Sequence, residues 1–173
     1  MQQKLIQLLK KTIVLLTKQV ELLSKQLAFK KTLDKNEFIY QTAKSLLGKK
    51  LRTIGKELAC ANVLNMFWEI ATGKQIGGKD STSKMFNSIR LDKRFREVKL
   101  EERKAGDICI SPTGFREFTT RVYHGHCWIL GKDDILYSNN SETGLFDDHW
   151  TVGGALRYYK EQNGFIFRVF RAV

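Results

Sequence analysis

The chain opens on a run in which apolar residues return every three or four positions. Leu9, Ile13, Leu16, Val20, Leu23 and Leu27 mark one seam, and Leu5, Leu8, Leu15 and Leu22 widen it. That spacing belongs to a helix with one side turned to a partner, and no glycine or proline interrupts it, so it predicts a single helix over about residues 1–30. A shorter helical run spans residues 37–47, with Asn36 placed to cap its start and Gly48 to end it. A third run spans residues 57–73. In it Val63, Leu64, Phe67, Trp68, Ile70 and Ala71 share the spacing of one helix face, and Gly73 stands where a C-terminal cap belongs. After a polar loop over residues 77–83, Met85 to Ile89 is compatible with another short helix, and residues 92–104 read as a charged connection.

From Gly106 the period shortens to two. Residues 107–111, 119–123, 126–130 and 135–138 are strand candidates, and residues 164–170 alternate well enough to be the last strand. Gly131 to Asp134 reads as a hairpin loop, and residues 139–144 as a turn. Helices first and an antiparallel sheet afterwards predict an α+β fold. The expected division is a basic amphipathic or coiled-coil helix over 1–33 and one domain over 34–173.

Charge sharpens the picture of the first helix. The chain carries 30 Lys and Arg against 18 Asp and Glu in 173 residues, a net +12, and its 42% hydrophobic content is that of a globular protein. Residues 1–35 hold eight lysines against Glu21 and Asp34. Such a helix can self-associate, dock, or lie on an anionic surface. Its lysines read as scattered around the helix, which favours association. A nucleic-acid-binding module is the rival from another class, resting on the net charge and on Phe115, Phe118, Tyr123, Tyr158 and Tyr159 near basic residues. The basic residues are dispersed and no reading motif is present, so no nucleic-acid partner is expected. The apolar run 13–16 is too short for a secretory core or a membrane span, so the chain is expected to be made in the cytoplasm without a signal peptide.

Candidate chemistry centres on Cys60. It falls in the first turn of the third helix, where unpaired N–H groups and the positive end of the helix dipole favour thiolate. A nucleophilic thiol needs a base, and the base needs an orienting group. His126 opens an apolar strand after Gly125 and is the candidate base. If Leu130 pairs with Ile135, Asn139 falls opposite His126 and can fix its tautomer; a slip of one residue substitutes Ser138 or Asn140. His149 is a weaker competitor, in a segment that reads as a polar turn. The three cysteines, Cys60, Cys109 and Cys127, form no pairwise motif and are expected to be reduced. Cys109, His124, His126 and Cys127 are zinc-ligand types, but Cys127 points away from the two histidines, and neither a metal nor another cofactor is expected. Phe146 to Trp150 and Arg157 to Tyr159 can line a substrate groove or pack in the core.

Several of these stretches, taken together, resemble a known family. They are residues 38–48, Cys60-Ala-Asn-Val-Leu-Asn65 opening a helix, Ala105-Gly-Asp-Ile-Cys-Ile110, Gly125-His-Cys-Trp-Ile-Leu-Gly131 and residues 135–144. In this order they are similar to the blocks of papain-like cell-wall peptidases, the NlpC-type and CHAP (cysteine, histidine-dependent amidohydrolase/peptidase) group, over about residues 36–171. The resemblance implies a papain-like arrangement, Cys60 as nucleophile, His126 as base, Asn139 or a neighbour as the third residue, and residues 106 and 107 as a structural landmark. It implies hydrolysis of peptidoglycan amide bonds at the bacterial cell wall, reached after release or export, as by a phage-type lysin or a wall-remodelling enzyme. Two departures stand out. The usual Asp-Cys-Ser-Gly is Ala59-Cys60-Ala61-Asn62, and the aromatic that often precedes the cysteine is missing. A catalytically inactive relative that only binds wall is a further possibility.

Overall fold

A computed structural model describes residues 2–32, 34–51, 59–118 and 124–173. The chain divides into two compact units, Met1–Asp34 and Lys35–Val173. The first unit holds α1 (Gln2–Thr32), whose large apolar side chains from Ile6 to Leu23 are half or more exposed, for example Leu16 and Val20. No helix among the described residues is long and apolar enough to cross a membrane.

The second unit begins with α2 (Lys35–Ser45), α3 (Ala59–Thr72) and α4 (Thr82–Leu91). α2 starts two residues earlier than Asn36 capping requires. Asn36 is instead buried, and its side chain donates to Asp107 Oδ1 at 2.6 Å, a tertiary bond in place of a cap. α3 closes at Gly73, whose φ of +78° lets its N–H reach Glu69 O at 2.8 Å. Ile70 leaves the buried face of α3 and is exposed, whereas Val63, Leu64, Phe67, Trp68 and Ala71 are buried. α4 is longer than its apolar residues suggest because the Ser81 side chain caps its start by accepting from Lys84 N.

Six strands follow: β1 (Phe95–Val98), β2 (Ile108–Ser111), β3 (His126–Leu130), β4 (Ile135–Asn139), β5 (Phe146–Thr151) and β6 (Arg168–Ala172). They form one sheet in the order β1-β6-β2-β3-β4-β5, every neighbouring pair antiparallel. The architecture is α+β, as the order of sequence periods implies. Three details depart from the expected strands. β1 lies inside the charged connection, where only Phe95 and Val98 are buried. The last strand starts at Arg168, because Phe165 makes only an isolated bridge to Arg116. The polar segment 146–151 is a strand, not a turn. The strand expected at 119–123 and the start of the helical run, residues 57 and 58, lie outside the described residues.

Both faces of the sheet are covered, which explains why β2 and β3 read as continuous apolar runs. Ile108, Ile110, Cys127, Ile129, Tyr137 and Phe170 face α2, α3 and α4. Cys109, Trp128, Leu130, Leu136 and Val169 face the other way, onto α5 (Val152–Ala155) and the π-helical turn that continues it, Leu156–Gln162. Alternation along each strand therefore decides which layer a side chain joins. The turn before β2 is clamped by the buried Asp107 carboxylate. It accepts from Asn36, from Lys104 N, and from Arg171 Nε and Nη2 at 2.9 and 2.8 Å. A Cβ on Gly106 would stand 2.1 Å from the Asn36 carbonyl oxygen, so only glycine lets α2 approach this turn.

Candidate active site

Cys60 is the second residue of α3, half-buried at the helix start, so its own N–H has no partner within the helix. The packing of α3 on β3 and β4 brings this end of the helix to the start of β3, where His126 stands. The Cys60 thiol is held well below its ordinary pKa. The hydrogen bond from the Cys127 thiol contributes most, burial opposes it, and the charge and hydrogen bond of His126 and the Ala61 N–H add to the lowering. Burial and the neighbouring Cys60 charge push Cys127 well up, so Cys127 keeps its proton and donates it. Cys109, on the opposite face, is also pushed up by burial. Of the three thiols, Cys60 is the one whose surroundings favour thiolate.

His126 is anchored on its other side. Its Nε2 lies 2.9 Å from Ser138 Oγ, which leaves Nδ1 as the ring nitrogen able to serve the sulfur. Trp128 and Tyr159 wall the ring, with centroids 4.8 and 6.2 Å away. Backbone closeness sets the position of the strand end: Ser111 pairs with His126, and a Cβ on Gly125 would stand 1.9 Å from Ser111 O. Gly125 N also donates to Thr113 Oγ1 at 2.9 Å, tying the approach to β3.

Of the residues expected from the sequence, Cys60 and His126 meet and Asn139 does not join them. Leu130 pairs with Leu136, not Ile135. The connection takes one residue more than the expected loop over Gly131 to Asp134, because Asp133 and Asp134 both adopt left-handed φ, +56° and +58°, inside a 3-10 turn. The slip moves Asn139 to the side of Tyr137, facing the helices, and leaves Ser138 on the side of His126. The Asn139 Oδ1 is buried with no hydrogen-bond partner among the described residues. Asn140, the other alternative, donates to Asp147 Oδ2 at 2.8 Å.

His149 sits on β5 and pairs through Nδ1 with Asp147, and the groups that lower the Cys60 thiol are others, Cys127, His126 and the Ala61 N–H. Among the described residues, no group of three or more His, Cys, Asp or Glu is arranged to hold a metal ion; Cys109 and Cys127 belong to opposite faces of the sheet. Tyr159 is buried and Trp150 half-buried against it, while Tyr158 is 38% exposed. The residue missed in the sequence is Cys127 as a donor to the sulfur. The signal was present: the alternation that sends it away from His126 sends it toward the helix bearing Cys60.

No family model matches the chain. No curated protein matches it either. Among solved structures, the chain is similar to a protein described as similar to lipoprotein, of the NLP/P60 family, from Staphylococcus aureus subsp. aureus Mu50, at 15% identity and a TM-score of 0.46. The likeness covers 79% of this chain and 42% of that one, so the chain spans less than half the length of that protein.

Proposed function

We propose that the chain is a cysteine peptidase or amidase that hydrolyses amide bonds of bacterial peptidoglycan through Cys60, His126 and Ser138. The observation that carries this reading is a thiol at a helix start, held below its ordinary pKa, next to an imidazole whose far nitrogen is anchored by a hydroxyl. The wall substrate rests on the resemblance of the sequence blocks to the NlpC-type and CHAP peptidases.

In the first half-reaction the Cys60 sulfur attacks the carbonyl carbon of the scissile amide, forming a C–S bond. The oxyanion lies against the N–H of Cys60, at the positive end of α3. His126, protonated at Nδ1, gives that proton to the nitrogen as the C–N bond breaks, and the amine leaves. In the second half-reaction the now neutral imidazole takes a proton from water, which attacks the thioester and releases the carboxylate and the thiolate. Ser138 keeps the ring in the required orientation and tautomer throughout. Trp128 and Tyr159 keep bulk water from its flanks.

The experiment is digestion of purified peptidoglycan by the full chain, by Cys60→Ala and by His126→Ala, with new amino groups counted and fragments identified by mass spectrometry. Each substitution is expected to lower the rate by about four orders of magnitude or more. Equal release by Cys60→Ala and the unaltered protein would remove the thiol from the mechanism.

A further inference from the structure

We propose that α1 is an association surface whose partner is α1 of a second copy of this chain, paired in parallel as a coiled coil. The inference concerns the first unit alone and does not depend on the chemistry of the second.

Writing the heptad as abcdefg with Ile6 at a, the seam over residues 6–23 has Ile6, Ile13 and Val20 at a and Leu9, Leu16 and Leu23 at d; beyond it the a row continues to Leu27 and the d row ends at Gln2 and Lys30. β-branched residues at a with leucine at d are the combination that favours a parallel pair of helices, because each residue type fits the hole geometry at its own layer. All six side chains are 51% to 63% exposed, so the seam is open to a partner.

The flanks permit a partner of identical sequence. Lys10, Thr17 and Ser24 occupy e, and Thr12 and Gln19 occupy g. In parallel register Thr12 meets Thr17 and Gln19 meets Ser24, with no like charges opposed. Lys4, Lys11 and Lys18 fall on the f row, away from the seam, so pairing two copies does not bring them together.

The period separates this occupant from a membrane surface. Residues repeating every seven positions drift by about 20° per heptad on a straight helix, and stay aligned only when two helices supercoil. A helix lying flat on lipid does not require that repeat. Leu8, Leu15 and Leu22, on the c row, repeat at seven as well and lie on the outer side of a two-stranded coil.

The test is the mass in solution of the full chain, by light scattering at micromolar concentration, for the unaltered protein, for Ile13→Glu with Leu16→Glu, for the milder Val20→Asn, and for Lys11→Glu on the f row. A dimer or larger assembly is expected for the unaltered protein and for Lys11→Glu. Dissociation is expected for the Glu pair, and at least tenfold weaker association for Val20→Asn, with the thermal unfolding of the second unit unchanged. A monomeric unaltered protein would overturn the proposal, and so would an assembly indifferent to both seam variants. Sedimentation of a monomeric chain with phosphatidylglycerol vesicles, lost in Lys11→Glu, would overturn it in favour of lipid.

Discussion

Ser138 Oγ lies 2.9 Å from His126 Nε2, while Asn139, one residue further along the same strand, leaves its side-chain oxygen buried and without a hydrogen-bond partner among the described residues. The two neighbours differ in which face of the sheet they join, and that difference puts the hydroxyl, not the amide, on the imidazole.

The first prediction separates them. Ser138→Ala removes one hydrogen bond to the imidazole, a net contribution of about 1 kcal/mol, and should lower turnover on peptidoglycan by about fivefold to tenfold. Ser138→Thr should restore most of it, since it keeps the hydroxyl. Asn139→Ala should leave the dependence of rate on pH unchanged. The comparison of the three pH profiles decides the matter: a profile altered by the Asn139 change and indifferent to the Ser138 change would reverse the assignment.

The second prediction concerns the sulfur. At any pH the thiolate fraction rises as the thiol pKa falls, so Cys60 should alkylate with iodoacetamide at a pH where an ordinary thiol is still protonated. Cys127→Ala removes the largest contribution to that lowering. The inflection of alkylation rate against pH should therefore move to higher pH while His126→Ala moves it in the same direction. Mass spectrometry should place the label on Cys60, since burial holds Cys109 and Cys127 protonated. An inflection unmoved in Cys127→Ala would dismiss that thiol as a donor.

Stability supplies the third. Asp107 is fully buried and its charge is met by Arg171, which donates two hydrogen bonds, so Arg171→Met leaves a buried carboxylate short of its cation. Losing one partner of such a pair costs about 3–5 kcal/mol. The midpoint of urea unfolding should drop accordingly, and Asp107→Asn combined with Arg171→Met should recover part of the loss. Additive losses in the double variant would show that the two side chains act independently.

Much of this arrangement was legible before any coordinates. Cys60 could be placed at a helix start and His126 at a strand start because both lie at points where the apolar period begins, and the change of period at Gly106 gave the α+β order. What escaped reading depended on contacts distant in sequence. The hairpin register turned on two aspartates adopting left-handed φ, a conformation no apolar pattern signals, and with it the choice between Ser138 and Asn139. β1 carries only two buried residues among charges, too few for its period to stand out. Asn36 had the composition of a cap, and a buried carboxylate brought in from Asp107 drew its side chain elsewhere.

The strand order β1-β6-β2 bears on how the molecule comes into being. Hairpins linking β2 to β5 close over short spans as the chain is synthesised, but β1 has no neighbour until β6 arrives and Phe170 settles beside Ile108. Closing so wide a span carries the largest loop-closure entropy of the strand pairings described, and until it happens the layer beneath α3 lacks Phe170 and Ala172. A nascent chain thus carries an unfinished floor until the final strand is inserted, while Cys60, His126 and Cys127, borne on α3 and β3 alone, can meet before it.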